Sequence, residues 1–188
     1  MIKIPIEVSA RHLHLSQADL NKLFGAGYKL KVLKPLSQSG EFAAKETVQL
    51  AGAKEAMKSA RIVGPVRQKT QVELALSDAQ ALGIKPPLRV SGDLRSAAKI
   101  KLIGPAGQII VKAAIVALRH IHINPAQAKK LKLRDGQSIK IKINGIRGAI
   151  LDKVAVRVKP NFKLALHLDT DEANAAGLRG HKNYGEII

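Results

Sequence analysis

Cysteine and tryptophan are both absent from this 188-residue chain. Without thiols there is no disulfide, no thiolate metal site and no cysteine nucleophile. Aromatic residues make up only 3%, so a core has to be packed from Val, Ile, Leu and Ala. The same scarcity leaves few rings on which the bases of a single strand could stack. Acidic residues are few as well, 14 against 32 Lys and Arg, for a formal charge of +18 at pH 7. Those basic residues are scattered, with no run of five or more. The scatter argues against nucleic acid as the main partner and fits the steering of a small anionic substrate. No apolar stretch is long enough to cross a bilayer. No signal or targeting segment precedes Ile4-Pro5-Ile6-Glu7-Val8, so the cytoplasm is the expected compartment.

What the chain does have is a repeated phrase. Arg11-His12-Leu13-His14 returns as Arg119-His120-Ile121-His122, and these two copies hold four of the six histidines. In a strand, residues two apart project from the same face, roughly 7 Å apart at Cα. His12 and His14 then stand side by side with Leu13 and Leu15 on the opposite face, and His120 and His122 do the same opposite Ile121 and Ile123.

Each copy leads into a helix signal. Ser16-Gln17-Ala18-Asp19 reads as an N-cap with an acid three residues on, and Gly25 as the stop. After the second copy, Asn124-Pro125-Ala126-Gln127 supplies a cap, a helical proline and a capping-box glutamine. The arrangement recurs twice more. In Gln71–Leu76, Val72, Leu74 and Leu76 share one face while Glu73 lies on the other with Gln71 and Ala75. Ser77-Asp78-Ala79-Gln80 then caps a helix ended by Gly83. Leu164, Leu166 and Leu168 lie opposite His167, before Asp169-Thr170-Asp171-Glu172 opens a last helix. Between these lie short strand candidates: 29–33, 46–50, 60–63, 88–90, 98–103, 108–111, 116–123, 138–143 and 152–158. Proline and glycine interrupt them often. Short, frequently broken strands point to a mainly β fold of two related barrel-like halves rather than alternating β and α layers.

Pairs of histidines on a strand face make a metal claw, and His₃ or His₂Glu sets are the usual ligands of catalytic zinc. His12, His14, Glu73, His120, His122 and His167 offer six ligands, enough for two ions with three each. A single histidine is more often an ordinary core or surface residue, but the duplicated spacing weighs against that here. His181, in the polar tail Arg179-Gly180-His181-Lys182-Asn183, reads as solvated. Arg67 could grip an oxyanion with its forked guanidinium or simply sit on the surface. Asp169, Asp171 and Glu172 could back the histidines, although capping the helix is the simpler role. Open positions on zinc would polarise a carbonyl or hold an anionic oxygen, and the residues alone do not separate such an enzyme from a dinuclear zinc hydrolase or a non-enzymatic basic nucleic-acid-binding barrel.

Several segments together narrow this. Ser9-Ala10-Arg11-His12-Leu13-His14-Leu15, Gly64-Pro65-Val66-Arg67 with Thr70-Gln71-Val72-Glu73, Ser91-Gly92-Asp93, Leu118-Arg119-His120-Ile121-His122 and His167-Leu168-Asp169-Thr170-Asp171-Glu172-Ala173-Asn174 occur in that order over nearly the whole chain. The set resembles the PduL-type phosphate acyltransferases, the phosphate propanoyltransferase family. The resemblance implies two interleaved closed β-barrels capped by short α-helices, with residues 1–25 and 105–188 in one and 26–104 in the other. It implies two zinc ions per chain in a dinuclear site between the barrels, one ion on His12, His14 and Glu73 and the other on His120, His122 and His167. Arg67 matches the family's phosphate-site arginine. The implied reaction is reversible transfer of acetyl or propanoyl between coenzyme A and phosphate, so the expected partners are acyl-CoA, phosphate, acyl phosphate and a second copy of the chain in a homodimer. Relatives from microcompartments carry an N-terminal encapsulation extension, which this sequence is expected to lack. Lys112-Ala113-Ala114 stands where the family resemblance leads one to expect Glu-Gly, leaving a turn before the second histidine pair in question.

Overall fold

Ser138-Ile-Lys-Ile-Lys-Ile143 shows how the strands form: Ile139, Ile141 and Ile143 are buried while Ser138, Lys140 and Lys142 are exposed, a period-two pattern that only an extended chain can satisfy. A computed structural model describes residues 2–180 and 183–188; His181 lies outside them. In chain order the strands and helices are β1 (Lys3–Ser9), β2 (His12–His14), α1 (Gln17–Phe24), β3 (Val32–Pro35), β4 (Phe42–Ala51), β5 (Ala56–Gly64), β6 (Gln71–Leu74) and α2 (Leu76–Leu82). They continue as β7 (Leu88–Arg89), β8 (Ala98–Ile103), β9 (Gln108–Ala117), β10 (His120–Ile123) and α3 (Pro125–Lys130). Last come β11 (Ser138–Ile143), β12 (Ala149–Val158), β13 (Ala165–Asp169), α4 (Thr170–Ala175) and β14 (Tyr184–Ile187).

The chain divides into two compact units, Met1–Ala10 with Leu118–Ile188, and Arg11–Ala117. The first is a closed barrel in the order β1-β13-β10-β12-β11-β14, with β14 returning to pair antiparallel with β1. Its interior is aliphatic, filled by Ile4, Ile121, Ile141, Val154, Leu166 and neighbours. In the second unit β4, β5, β2, β6 and β9 follow one another, and β8 pairs with both β9 and β4, closing a second ring of six strands. β3 and β7 add to its edges. Leu13, Leu50, Ile62, Val72, Ile100 and Leu102 fill that interior. Burying each such side chain stabilises the fold by roughly 1.5–3 kcal/mol, which lets a core with almost no aromatics hold.

Two features differ from the sequence reading. The division places α1 and the first histidine pair with Arg11–Ala117 rather than with the C-terminal half, and residues 105–117 with them. Strand β2 explains this: it pairs with β5 and β6 and is sealed into their ring through Leu13. The stretch Val111–Ile115 is no turn but part of β9, which pairs with β8 across a register shift between Lys112 and Ala114 and with β6 from Ala114 onward.

Four strands bearing the singled-out residues, β2, β6, β10 and β13, each run into a helix within three residues. Ser16 Oγ accepts from the Asp19 amide at 3.2 Å and Asn124 Oδ1 from that of Gln127 at 2.9 Å. Asp169 and Glu172 form a reciprocal capping box, 2.8 and 3.3 Å. The helix after β6 starts earlier than the Ser77 cap expected. Its N-cap is Ala75, which has no side-chain acceptor; the Asp78 carboxylate, at the third helical position, accepts the Ala75 amide at 3.3 Å and so makes the returning half of a capping box. Arg11 donates to the same carboxylate at 2.8 Å, tying the residue before the histidine pair to α2.

Candidate metal centre

In the Arg11–Ala117 unit, β2 and β6 are antiparallel neighbours with His12 opposite Glu73 and His14 opposite Gln71. Leu13 and Val72, between them in sequence, point into the barrel core, so the four polar side chains share the other face. The His12 and His14 rings meet edge to face, centroids 5.3 Å apart. His12 Nε2 lies 3.8 Å from Glu73 Oε2. His14 donates from Nδ1 to the Val63 carbonyl at 3.0 Å. A carbonyl only accepts, so the ring proton is on Nδ1 and Nε2 carries the lone pair. Burial, and next the Arg67 guanidinium, lower the His14 pKa to about 3, which keeps the ring neutral and able to ligate at pH 7.

The other unit builds a second cluster the same way. His120 is opposite His167 across β10 and β13, their rings stacked at 5.1 Å. His122 lies 4.4 Å from His167 and 4.7 Å from His120, centroid to centroid. His120 Nδ1 donates to the Leu118 carbonyl at 2.7 Å, again directing Nε2 to ligation. His167 Nδ1 stands 3.8 Å from Glu7 Oε2, its register partner on β1. Phe162 stacks on His122 at 3.8 Å. Burial first, then His167 and His120, hold the His122 ring far below the usual imidazole range.

Within each set, His12–His14–Glu73 and His120–His122–His167, one ligand atom per residue lies within 4.8 Å of the others. Arg67 is held at its backbone by the Leu15 carbonyl, 2.9 Å, next to the end of β2, and its charge acts on His14. Its Nη2 donates to Glu41 Oε1 at 3.0 Å. Thr70 braces the same corner: it accepts the Ser16 amide at 3.0 Å and donates to Asp19 Oδ2 at 2.6 Å.

The phosphate propanoyltransferase family profile matches residues 5–179. The chain is 46% identical over 187 residues to a phosphate propanoyltransferase of Thermotoga maritima, an alignment covering 98% of this chain and 87% of the relative. Against a phosphate propanoyltransferase of Citrobacter rodentium it is 48% identical over 176 residues, 93% and 83% of the two chains. The chain belongs to the phosphate propanoyltransferase family. It is therefore an acyltransferase. A third relative of the same name, from Shewanella putrefaciens, is 45% identical over 187 residues, 98% and 88% of the two chains. No helix among the described residues is long and apolar enough to cross a membrane.

The residues of this acyltransferase suit a pair of divalent ions. Both sets are three-ligand donor sets of the kind catalytic zinc takes, with two imidazoles already oriented by backbone carbonyls. His122 Nδ1 is buried and, among the described residues, makes no hydrogen bond, which is costly for a polar atom unless a ligand meets it. Asp169 and Glu172 serve mainly as a cap: burial pushes both carboxyls up, and Glu172 is paired with Arg119 at 2.6 Å.

Sequence reasoning passed over Glu7, Arg157 and Phe162, and gave Gln71 and Ser91 no role. Gln71 shared a strand face with Glu73 and Ser91 lay in the Ser91-Gly92-Asp93 segment, so both could have been singled out. The other three are brought in by pairings far apart in sequence and carry no local signal.

Proposed function

We propose that this acyltransferase moves acetyl or propanoyl reversibly between coenzyme A and inorganic phosphate, giving acyl phosphate, with two zinc ions per chain, one on each three-ligand set. The supporting observation is the presence of two separate three-ligand sets in a chain that resembles phosphate propanoyltransferases along almost its whole length. His12, His14 and Glu73 would hold one ion; His120, His122 and His167 the other. Zinc, when bound, supplies Lewis acidity, drawing charge from a thioester carbonyl and favouring the thiolate form of the coenzyme.

The chain's own residues do the rest. Arg67 binds phosphate through two parallel N–H donors, releasing Glu41 as it does so. It orients one phosphate oxygen toward the thioester carbonyl carbon. The new bond is carbon to phosphate oxygen, the bond broken is carbon to sulfur, and the sulfur departs with the electron pair. With no cysteine in the chain, no acyl-cysteine can intervene, which favours direct transfer with both substrates bound together. The proposal extends to a cytoplasmic homodimer, on the family resemblance alone.

The test is release of phosphate from propanoyl phosphate, with metal analysis of the same samples. Release that requires coenzyme A, with two equivalents of zinc in wild type and one each in His12→Ala and His120→Ala, supports the reading. Release into water alone would make the protein a metal hydrolase instead.

A further inference from the structure

Glu73 is held by a ring of donors that comes from outside the metal-ligand set. Its Oε1 accepts from Gln71 Nε2 and from Ser91 Oγ, the latter at 2.7 Å. Gln71 Nε2 also donates to Ser91 Oγ at 2.9 Å, and Gln71 Oε1 accepts the Gly92 amide at 2.7 Å. These bonds allow one proton arrangement only. The Gly92 N–H can only donate, so the amide atom receiving it is the Gln71 oxygen, and the amide nitrogen must face Glu73 and Ser91. Ser91 then receives a proton from Gln71 and has its own left for Glu73. Both groups on Oε1 are donors, so Oε1 is held as an acceptor and the rotation of the carboxyl group is fixed. The other oxygen, Oε2, is the one 3.8 Å from His12.

The ring is built to be rigid. Gln71 is 2% exposed, and a buried amide side chain with all its donors committed has no second orientation to adopt. Gly92 has φ of 103°, a conformation that side chains with a Cβ resist, and this turns its N–H toward Gln71. The loop is pinned from behind by the Asp93 amide on the Val90 carbonyl, 2.9 Å, and by Arg95 on Asp93, 2.7 Å.

We propose that Gln71 and Ser91 are positioning residues for the ion held by His12, His14 and Glu73: they orient Glu73 so that it ligates through Oε2 alone. The inference rests on the metal reading given above. Hydrogen-bonded partners of metal ligands typically contribute tenfold to a hundredfold in affinity, and a loss of roughly that size is expected here.

The experiment uses the full chain, stripped with a chelator and titrated with zinc against a chromophoric competitor. Ser91→Ala removes one hydroxyl from a partly exposed loop and leaves the fold intact. Gln71→Met keeps the side chain's bulk and deletes its donors. His12→Ala identifies which binding step belongs to this ion. Ser91→Ala and Gln71→Met are expected to weaken that step by about tenfold or more, to leave the other step unchanged, and to unfold at the wild-type temperature when stripped. Ser91→Thr, which restores a hydroxyl, should recover most of the loss. If His12→Ala loses one ion while Ser91→Ala and Gln71→Met bind both as wild type does, the positioning role is wrong and the metal reading stands. If the wild type takes up no zinc, or His12→Ala keeps both ions, the metal reading fails and the positioning role with it.

Discussion

Glu41 accepts a hydrogen bond from Arg67 at 3.0 Å, and both side chains keep about a third of their surface exposed. A half-exposed ion pair of this kind contributes only about 0–1 kcal/mol, so a phosphate dianion with two-point binding can displace it. On the phosphate-binding role proposed for Arg67, Glu41 and phosphate would be rivals for one guanidinium. Glu41→Gln should lower KM for phosphate up to about fivefold, the kinetic equivalent of that interaction, with kcat little changed. Arg67→Gln should raise KM for phosphate by roughly tenfold to a hundredfold, as expected for loss of a charged hydrogen bond. Steady-state kinetics at fixed acyl-CoA measures both. A higher KM in Glu41→Gln would mean that Glu41 holds Arg67 in its working position rather than competing for it.

Leu13 carries the packing side of the same strand. It is fully buried and lies between His12 and His14 in sequence, so Leu13→Ala leaves a cavity under the strand that bears them. Such truncations cost about 2–5 kcal/mol, and urea unfolding of the stripped protein should show a loss in that range. A change below about 1 kcal/mol would mean that the barrel interior relaxes around the gap, against the usual behaviour of close-packed cores.

The two clusters His12–His14–Glu73 and His120–His122–His167 were legible because side chains that share a strand face have a period of two, and the aliphatic residues between them mark which face is inward. Glu73 and His167 followed by the same rule. The caps at Ser16, Asn124 and Asp169 were legible because each bond spans three residues. Closure of the second barrel was not: β8 and β9 form a local hairpin, but closure also needs β8 to reach β4, a segment about fifty residues earlier that no local pattern encodes. The boundary after Ala10 was missed for the same reason, since the partners of β2 lie far along the chain. Ser91 was invisible as a partner of Glu73 because a serine in a turn is unremarkable until the fold delivers it to a carboxylate.

Arg157 makes a different prediction about the second set. Its Nη1 lies 3.3 Å from His122 Nε2, and it sits beside the ring of Phe162 at 5.7 Å. A guanidinium only donates, so this contact favours the tautomer with the proton on Nδ1. An ion on Nε2 would take the place of Arg157; an ion on Nδ1 would move the proton to Nε2 and set it against a donor. Either way Arg157 must turn aside for His122 to ligate. Arg157→Gln should therefore tighten zinc binding at the His120–His122–His167 set by about tenfold, one charged hydrogen bond's worth, and leave the other set alone. Competition titration in the His12→Ala background isolates that ion, and weaker binding there would show that Arg157 supports the site instead.

The pH dependence of the stripped protein follows from His14. Its pKa is lowered from 6.5 to about 3 in the folded state by burial first and by Arg67 second, while the unfolded chain keeps the ordinary value. Above pH 6.5 the ring is neutral in both states and contributes no slope. Below 6.5 the unfolded state takes up a proton that the folded state refuses, so stability falls by up to about 1.4 kcal/mol per pH unit from this group. The fall continues until pH nears the folded value and the buried ring is at last protonated. His122, lowered in the same direction, steepens the slope. Denaturant midpoints between pH 7.5 and 4.5, measured with chelator present, should drop progressively below 6.5, and the drop should be shallower in His14→Gln. Equal slopes in wild type and His14→Gln would mean that the His14 ring is solvated and free to protonate, and that it does not lie buried against Val63 and Arg67.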